Sequence, residues 1–286
     1  MINFEVTQNN IYYYGVVNSS YLPSIVKMDI QTHKEETLAT PTTSNWQNGR
    51  CIRLVLQKQA ILFCSIKNAV LYPLNNPKNE IDFKIPAKIV NQGIDHPIYD
   101  LEAFGPKSEY AAFLLDKRAF CVYKLFLKPK PRVKFLIHYN LQETLYWKPD
   151  SLVGTRDGRF IAISARKGGS ELYGVYLIAL ELKKRKVLLV KRILYSPIGN
   201  VKTRLHSISV KYYKDRNLIV LTGLEFVEEA SVMTFCFDLT SLEFREAEVR
   251  GSEIGRQRRL VQFGGALWTI DQDFNILRLE YGFSDD

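Results

Sequence analysis

Short strand-like runs recur along the whole chain, and they are rich in valine, isoleucine, leucine, phenylalanine and tyrosine. The runs come in groups of four, and each group occupies about 40 to 55 residues. One clear group reads CIRLVL, AILFCSI, AVLYPL and EIDFKI, with short polar connections between its runs. No segment carries a sustained apolar stripe at helical spacing. The sequence therefore predicts an all-β chain.

The length of the repeat narrows the fold further. Four short strands in about 40 to 55 residues are typical of one blade of a β-propeller. The second run is the most apolar in most groups, as expected for a strand covered on both faces. We therefore predict a six-bladed β-propeller that forms a single domain over residues 1–286. The blades are expected at about 1–43, 48–88, 97–140, 149–195, 203–250 and 256–283.

The first and last groups leave the closure of the propeller open. The sixth group yields only three runs. The N-terminal run INFEV either opens the first blade or supplies the missing outer strand of the sixth. Five or seven blades would fit if these two groups were divided differently.

Two stretches resemble known propeller blades. The run DSLVGTRDGRFIAISA resembles the S-P-D-G element of WD40-like and TolB-like blades, and Asp157-Gly158 offers the positive φ of a tight hairpin. The pair NNIYYYGVV and SIVKMDI is similar to two strands of a kelch blade, although Gly15 is single where kelch has two glycines. No blade closes on Trp-Asp. The resemblance implies the architecture and transfers no functional residue.

The balance of charge favours acidic partners. Lysine and arginine total 39 against 30 aspartates and glutamates, which gives a formal charge of +9. The N-terminus lacks a basic segment followed by an apolar one, and no run approaches the roughly 18 apolar residues of a membrane helix. We expect an intracellular protein, cytoplasmic or nuclear, with no membrane partner. The oligomeric state is not predicted.

The cysteines and histidines do not form a metal-binding pattern. None lies in a C-x-x-C pair or near another candidate ligand at metal-site spacing. The four cysteines are Cys51, Cys64, Cys121 and Cys236, and the four histidines are His33, His96, His138 and His206. We interpret the cysteines as reduced core thiols. We expect neither a metal nor a cofactor.

Catalytic motifs are equally scarce. The chain has no G-x-S-x-G element and no glycine-rich phosphate loop before a helix. Several charged or polar residues near the starts of first strands would surround the mouth of a central channel. They are Arg53, Asp100, Glu102, Arg204, His206, Arg258 and Arg259. An enzyme with a site at this mouth is one alternative, and charges solvated in the channel are the simpler interpretation.

Basic residues cluster on the predicted outer hairpins of the third and fourth blades. They are Lys128, Lys130, Arg132, Lys183, Lys184, Arg185 and Lys186. If the two blades are neighbours, these residues form one basic flank that would bind an acidic surface, or RNA by releasing its counterions. Lysines on outermost strands also prevent edge-to-edge aggregation, which explains the pattern without a ligand.

The loops that join blades, and those between second and third strands, usually build the binding face of a propeller. Here they carry Tyr21, Trp46, Arg118, Trp147, Lys148, Arg166 and Lys167. Tryptophan and arginine are frequent at binding hot spots, although a tryptophan also fills the groove between blades. Our preferred hypothesis is a non-catalytic interaction module that binds a peptide or acidic protein surface on this face.

Overall fold

The computed structural model of the chain is nearly all β. It describes residues 4–15, 24–40, 49–65, 69–76, 80–83, 98–115, 119–141, 147–167, 173–195, 205–213, 217–226, 230–246, 248–250, 260–263, 266–270 and 276–282. The chain divides into two compact units, Met1–Leu141 and Gln142–Asp286. Within the described ranges, each unit holds three four-stranded antiparallel sheets.

The first unit has three sheets whose strands are hydrogen-bonded in chain order. The first sheet contains β1 (Phe4–Val6), β2 (Asn10–Gly15), β3 (Ser24–Asp29) and β4 (Glu35–Ala39). The second contains β5 (Gly49–Val55), β6 (Ala60–Ser65), β7 (Ala69–Pro73) and β8 (Ile81–Asp82). The third contains β9 (Ile98–Phe104), β10 (Tyr110–Leu115), β11 (Ala119–Phe126) and β12 (Arg132–Asn140).

The second unit repeats the arrangement with one change. The fourth sheet contains β13 (Trp147–Gly154), β14 (Phe160–Lys167), β15 (Tyr173–Glu181) and β16 (Lys186–Tyr195). The fifth contains β17 (Leu205–Tyr213), β18 (Leu218–Phe226), β19 (Ala230–Asp238) and β20 (Glu243–Glu246). The sixth contains β21 (Glu248–Arg250), β22 (Leu260–Phe263), β23 (Ala266–Ile270) and β24 (Ile276–Gly282). Its strand order is β21, β24, β23, β22.

Strands β1 and β21 complete the first and the sixth sheet, respectively. Strand β1 pairs with β2, with Phe4 opposite Tyr13, so the N-terminal run opens the first sheet. The sixth sheet obtains its fourth strand from β21, in which Val249 lies opposite Tyr281 of β24. The predicted fifth blade, 203–250, wrongly includes the residues of β21, because the run EFREAEV reads as one strand. The structure divides that run between two sheets.

A backbone hydrogen bond recurs in five of the described sheets. An aliphatic residue at the end of the third strand donates its N–H to the carbonyl of the residue just before the second strand. The pairs are Ile30–Asn9, Leu74–Gln59, Leu125–Glu109, Leu180–Arg159 and Leu239–Asn217, at 2.7 to 3.1 Å. The recurrence shows that these sheets are copies of one structural unit, as the four-strand repeat predicted.

The second strands of the second and third sheets lie in the core. All six residues of β6 are buried, as are five of the six in β10. In the third sheet, the rings of Phe113 and Tyr123 meet edge to face with centroids 5.4 Å apart, and Phe83 contacts both. Such aromatic contacts add about 0.5–1.5 kcal/mol beyond the burial of apolar area. The apolar second runs AILFCSI and YAAFLLD of the sequence are therefore central strands.

The predicted tight hairpin between β13 and β14 is confirmed. Gly158 has φ 75°, and the Asp157 carboxylate accepts hydrogen bonds from the Thr155 hydroxyl at 2.6 Å and the Arg159 N–H at 2.9 Å. Burial raises the pKa of Asp157, but these hydrogen bonds outweigh it and leave the pKa lowered. The corresponding hairpin of the fifth sheet places Asn217 at φ 54°. In the described part of the chain, no helix has the length and apolar character to cross a membrane.

Candidate functional sites

Arg53 contacts two glutamates, and all three residues lie on first strands of the first unit. Arg53 of β5 lies between Glu102 of β9, at 3.2 Å from Nε to Oε2, and Glu5 of β1, at 3.6 Å from Nη1 to Oε1. The Arg53 side chain is 13% exposed, and its guanidinium also donates to the Ile52 carbonyl at 2.9 Å. One arginine therefore links the first strands of three successive sheets.

The neighbouring carboxylates keep Arg53 positively charged. Burial lowers the pKa of its guanidinium, but the carboxylates of Glu102 and Glu5 raise the pKa by more, so the net shift is upward. Arg53, Asp100 and Glu102, predicted at a channel mouth, are thus brought close together. Arg204, Arg258 and Arg259 lie outside the described residues, as does the side chain of His206 on β17.

Buried thiols lie beside the charged cluster. Cys51 lies directly opposite Cys64, and its Sγ is 3.7 Å from Oδ1 of Asp100. The hydrogen bond with Cys51, together with burial, raises the pKa of Cys64, and burial raises the pKa of Cys121 to about 12. A protonated thiol is a poor nucleophile and a poor metal ligand.

Cys51, Cys64 and Cys121 are free and buried, which confirms their interpretation as core thiols. The side chain of Cys236 lies outside the described part. Among the residues described, no group of three histidine, cysteine, aspartate or glutamate side chains is placed to hold a metal ion.

Four residues predicted on the binding loops lie instead at one end of the fourth sheet. Trp147 and Lys148 begin β13, and Arg166 and Lys167 end β14. The antiparallel register places Trp147 opposite Lys167 and Lys148 opposite Arg166. We call this group the β13–β14 end. The other predicted contacts, Tyr21, Trp46 and Arg118, lie outside the described residues.

The basic hairpin of the third sheet joins β11 to β12. Lys128, Lys130 and Arg132 are exposed. The Arg132 guanidinium lies 4.8 Å from the ring centroid of Phe126, and Lys124 Nζ lies 5.5 Å from the same ring. These cations therefore cover an aromatic side chain of their own hairpin.

The basic hairpin of the fourth sheet joins β15 to β16, and its side chains are arranged differently. Lys183, Lys184, Arg185 and Lys186 are all exposed. Lys184 pairs with Glu181 at 2.8 Å. Leu188 and Leu189 of β16 are 59% and 53% exposed. The sequence gives no signal for these leucines, because the run KVLLVKRILY reads as an ordinary apolar strand.

Comparison with known proteins identifies a fold. No family model matches the sequence, and no curated protein matches it. A chain of Kuenenia stuttgartiensis hydrazine synthase aligns over 97% of this chain and 76% of its own, with TM-score 0.63 and 12% identity. The Cps50 (Swd1) β-propeller domain of Myceliophteria thermophila aligns over 99% and 83%, with TM-score 0.60 and 7% identity.

A third neighbour is a chain of the S. cerevisiae structure of Dbp5 bound to Nup159 and Gle1. It aligns over 96% of this chain and 74% of its own, with TM-score 0.53 and 8% identity. The names of the three include an enzyme and components of protein assemblies, and identities this low carry no function across. The chain has a β-propeller fold.

Proposed function

We propose that the chain is a non-catalytic intracellular interaction module that holds a peptide or acidic protein surface at the β13–β14 end. Trp147 is the apolar anchor of this surface, and Lys148, Arg166 and Lys167 are its charged contacts. Tyr21, Trp46 and Arg118 lie outside the described residues and stay predicted partner contacts.

The antiparallel register of β13 and β14 carries the proposal. Residues directly opposite in such a pair have Cβ atoms about 4.5–5.5 Å apart. The pairs Trp147–Lys167 and Lys148–Arg166 are adjacent rungs that belong to opposite faces, so one aromatic residue and three cations surround this end of the sheet. Tryptophan and arginine are enriched at binding hot spots, and clustered cations select acidic partners.

The arrangement of the first unit favours a structural role for the polar residues of the enzyme alternative. The guanidinium of Arg53 is engaged by Glu102 and Glu5, and the thiol of Cys51 contacts Asp100. These contacts tie neighbouring strands together. A chain of similar fold belongs to the structure of S. cerevisiae Dbp5 bound to Nup159 and Gle1, and this neighbour supports the choice of a protein partner.

The experiment is affinity purification with mass spectrometry from native cells, using tagged wild type, Trp147→Ala and Arg166→Glu. Both variants are expected to lose the same protein partners while their thermal unfolding midpoints stay near that of wild type. Lys34→Ala, at an exposed position of the first sheet, is the matched control and keeps those partners. Unchanged partners, or a large loss of stability for Trp147→Ala, would contradict the proposal.

A further inference from the structure

The β15–β16 hairpin combines two features that are normally kept apart, exposed leucines and a dense cluster of cations. Leu188 and Leu189 are adjacent on the outer strand of the fourth sheet. Among the described residues, the large apolar side chains with high exposure are these two and Leu242. Isolated exposed apolar residues are ordinary, but an adjacent pair on an outermost strand invites aggregation and calls for an explanation.

A β-bulge accounts for the exposure of both leucines. Leu180 lies opposite Val187 and Ala179 lies opposite Leu189, so Leu188 is an extra residue without an opposite partner. Regular strands direct successive side chains to opposite faces, and an extra residue interrupts that alternation. Both leucines therefore remain accessible to solvent.

Protection of the sheet edge explains the lysines but not the leucines. Charge and a bulge are enough to discourage pairing with another strand, and exposed leucines weaken that protection. The basic hairpin of the third sheet shows the contrast. Leu125 there is 1% exposed, and Leu127 packs against the core.

The charge around the leucine pair is strongly one-sided. Five exposed cations lie in the hairpin within a few residues of Leu188 and Leu189, whereas Glu181 is the one carboxylate there. The cations are Lys183, Lys184, Arg185, Lys186 and Lys191. Lys184 is paired with Glu181. In the described part of the chain, no ion pair engages the other four cations, which leaves a local excess that attracts carboxylates.

We propose that the β15–β16 hairpin binds an extended acidic peptide segment of a protein. Apolar side chains of the segment contact Leu188 and Leu189, and its carboxylates contact the surrounding cations. This surface is separate from the β13–β14 end. Arg166 lies opposite Tyr173 and Glu181 lies opposite Lys186, so the two surfaces occupy opposite ends of the fourth sheet.

The test measures fluorescence anisotropy of a labelled, acetylated peptide of about eight residues in which glutamate alternates with valine. Wild type is compared with the double variant Leu188→Ser/Leu189→Ser and with Lys183→Ala/Arg185→Ala/Lys186→Ala. Leu242→Ser removes the third exposed leucine, in the β19–β20 turn, and is the matched control. We expect both test variants to weaken binding by about tenfold or more, and the control to leave it unchanged.

Thermal unfolding midpoints near that of wild type are expected for all variants, because the substituted side chains are exposed. Wild type that does not bind the peptide would overturn the proposal. Leucine variants that bind the peptide as tightly as wild type would also overturn it. The same holds if a labelled single-stranded RNA binds more tightly than the peptide and the leucine substitutions do not change its affinity. The leucine variants are read out on the glutamate–valine peptide, whereas Trp147→Ala and Arg166→Glu are read out on partners from native cells, so failure of this surface and failure of the β13–β14 end are separable.

Discussion

The two basic hairpins of the chain have similar charge and opposite packing. In the third sheet, Lys124 and Arg132 lie over the ring of Phe126, and Leu125 is buried. In the fourth sheet the cations extend into solvent, and Leu188 and Leu189 are exposed beside them.

The difference shows that a lysine-rich outer strand has two distinct uses. Cations that cover their own aromatic and aliphatic side chains contribute to the fold. Cations that surround an exposed apolar pair leave both charge and apolar area for another molecule. Charge content does not separate these uses, whereas the exposure of the neighbouring leucines does.

The largest expected effect is on the free energy of unfolding when the buried leucine of the third sheet is truncated. Leu125→Ala should lower the free energy of unfolding by about 3–4 kcal/mol, because it opens a cavity in the packed core of the first unit. Leu189→Ala should change it by no more than about 0.5 kcal/mol. Urea unfolding of both variants measures the difference. Equal losses would remove the distinction between the hairpins.

The next largest effect is expected at Arg53, a mostly buried cation whose described contacts lie within the fold. Arg53→Met should lower the free energy of unfolding by about 2–3 kcal/mol. The carboxylates of Glu102 and Glu5 are partly buried, and the substitution removes their counter-charge. Arg185→Met, in the exposed turn, is the matched control and should leave stability unchanged. A stable Arg53→Met variant would mean that water compensates both carboxylates.

The cation over Phe126 gives the smallest effect. Arg132→Ala should cost about 0.5–1 kcal/mol of stability, which is the usual strength of a cation–π contact at an exposed site. Arg132→Lys should recover part of that loss, since the charge is retained without the planar guanidinium. Thermal unfolding followed by calorimetry resolves the order of the three proteins. An Arg132→Ala variant as stable as wild type would make the two hairpins alike in this respect.

Sequence patterns were sufficient to predict the repeat, the antiparallel hairpins and the buried second strands of the second and third sheets. These features depend on local alternation and turn residues such as Asp157-Gly158, which act over a few positions. The assignment of β21 to the sixth sheet was not predictable in this way. Its partner, β24, lies beyond two other strands, and alternation does not identify a distant partner.

The sites were less predictable than the fold because they depend on distant or irregular contacts. Arg53 meets Glu5 and Glu102, each 48 or 49 positions away, so no spacing in the sequence signals the cluster. Leu188 is exposed because of a bulge, and its run reads as a regular apolar strand. The recurring aliphatic residue at the end of the third strands, such as Leu74 and Leu180, is a sequence signal that marks the repeat.

The most direct test of the division between the two hairpins is methyl NMR of leucine-labelled protein during titration with the glutamate–valine peptide. The account predicts that the methyl resonances of Leu188 and Leu189 shift progressively, while those of Leu125 and Leu127 stay in place. Shifts confined to the leucines of the third sheet, or no shift at Leu188 and Leu189 at saturating peptide, would contradict it.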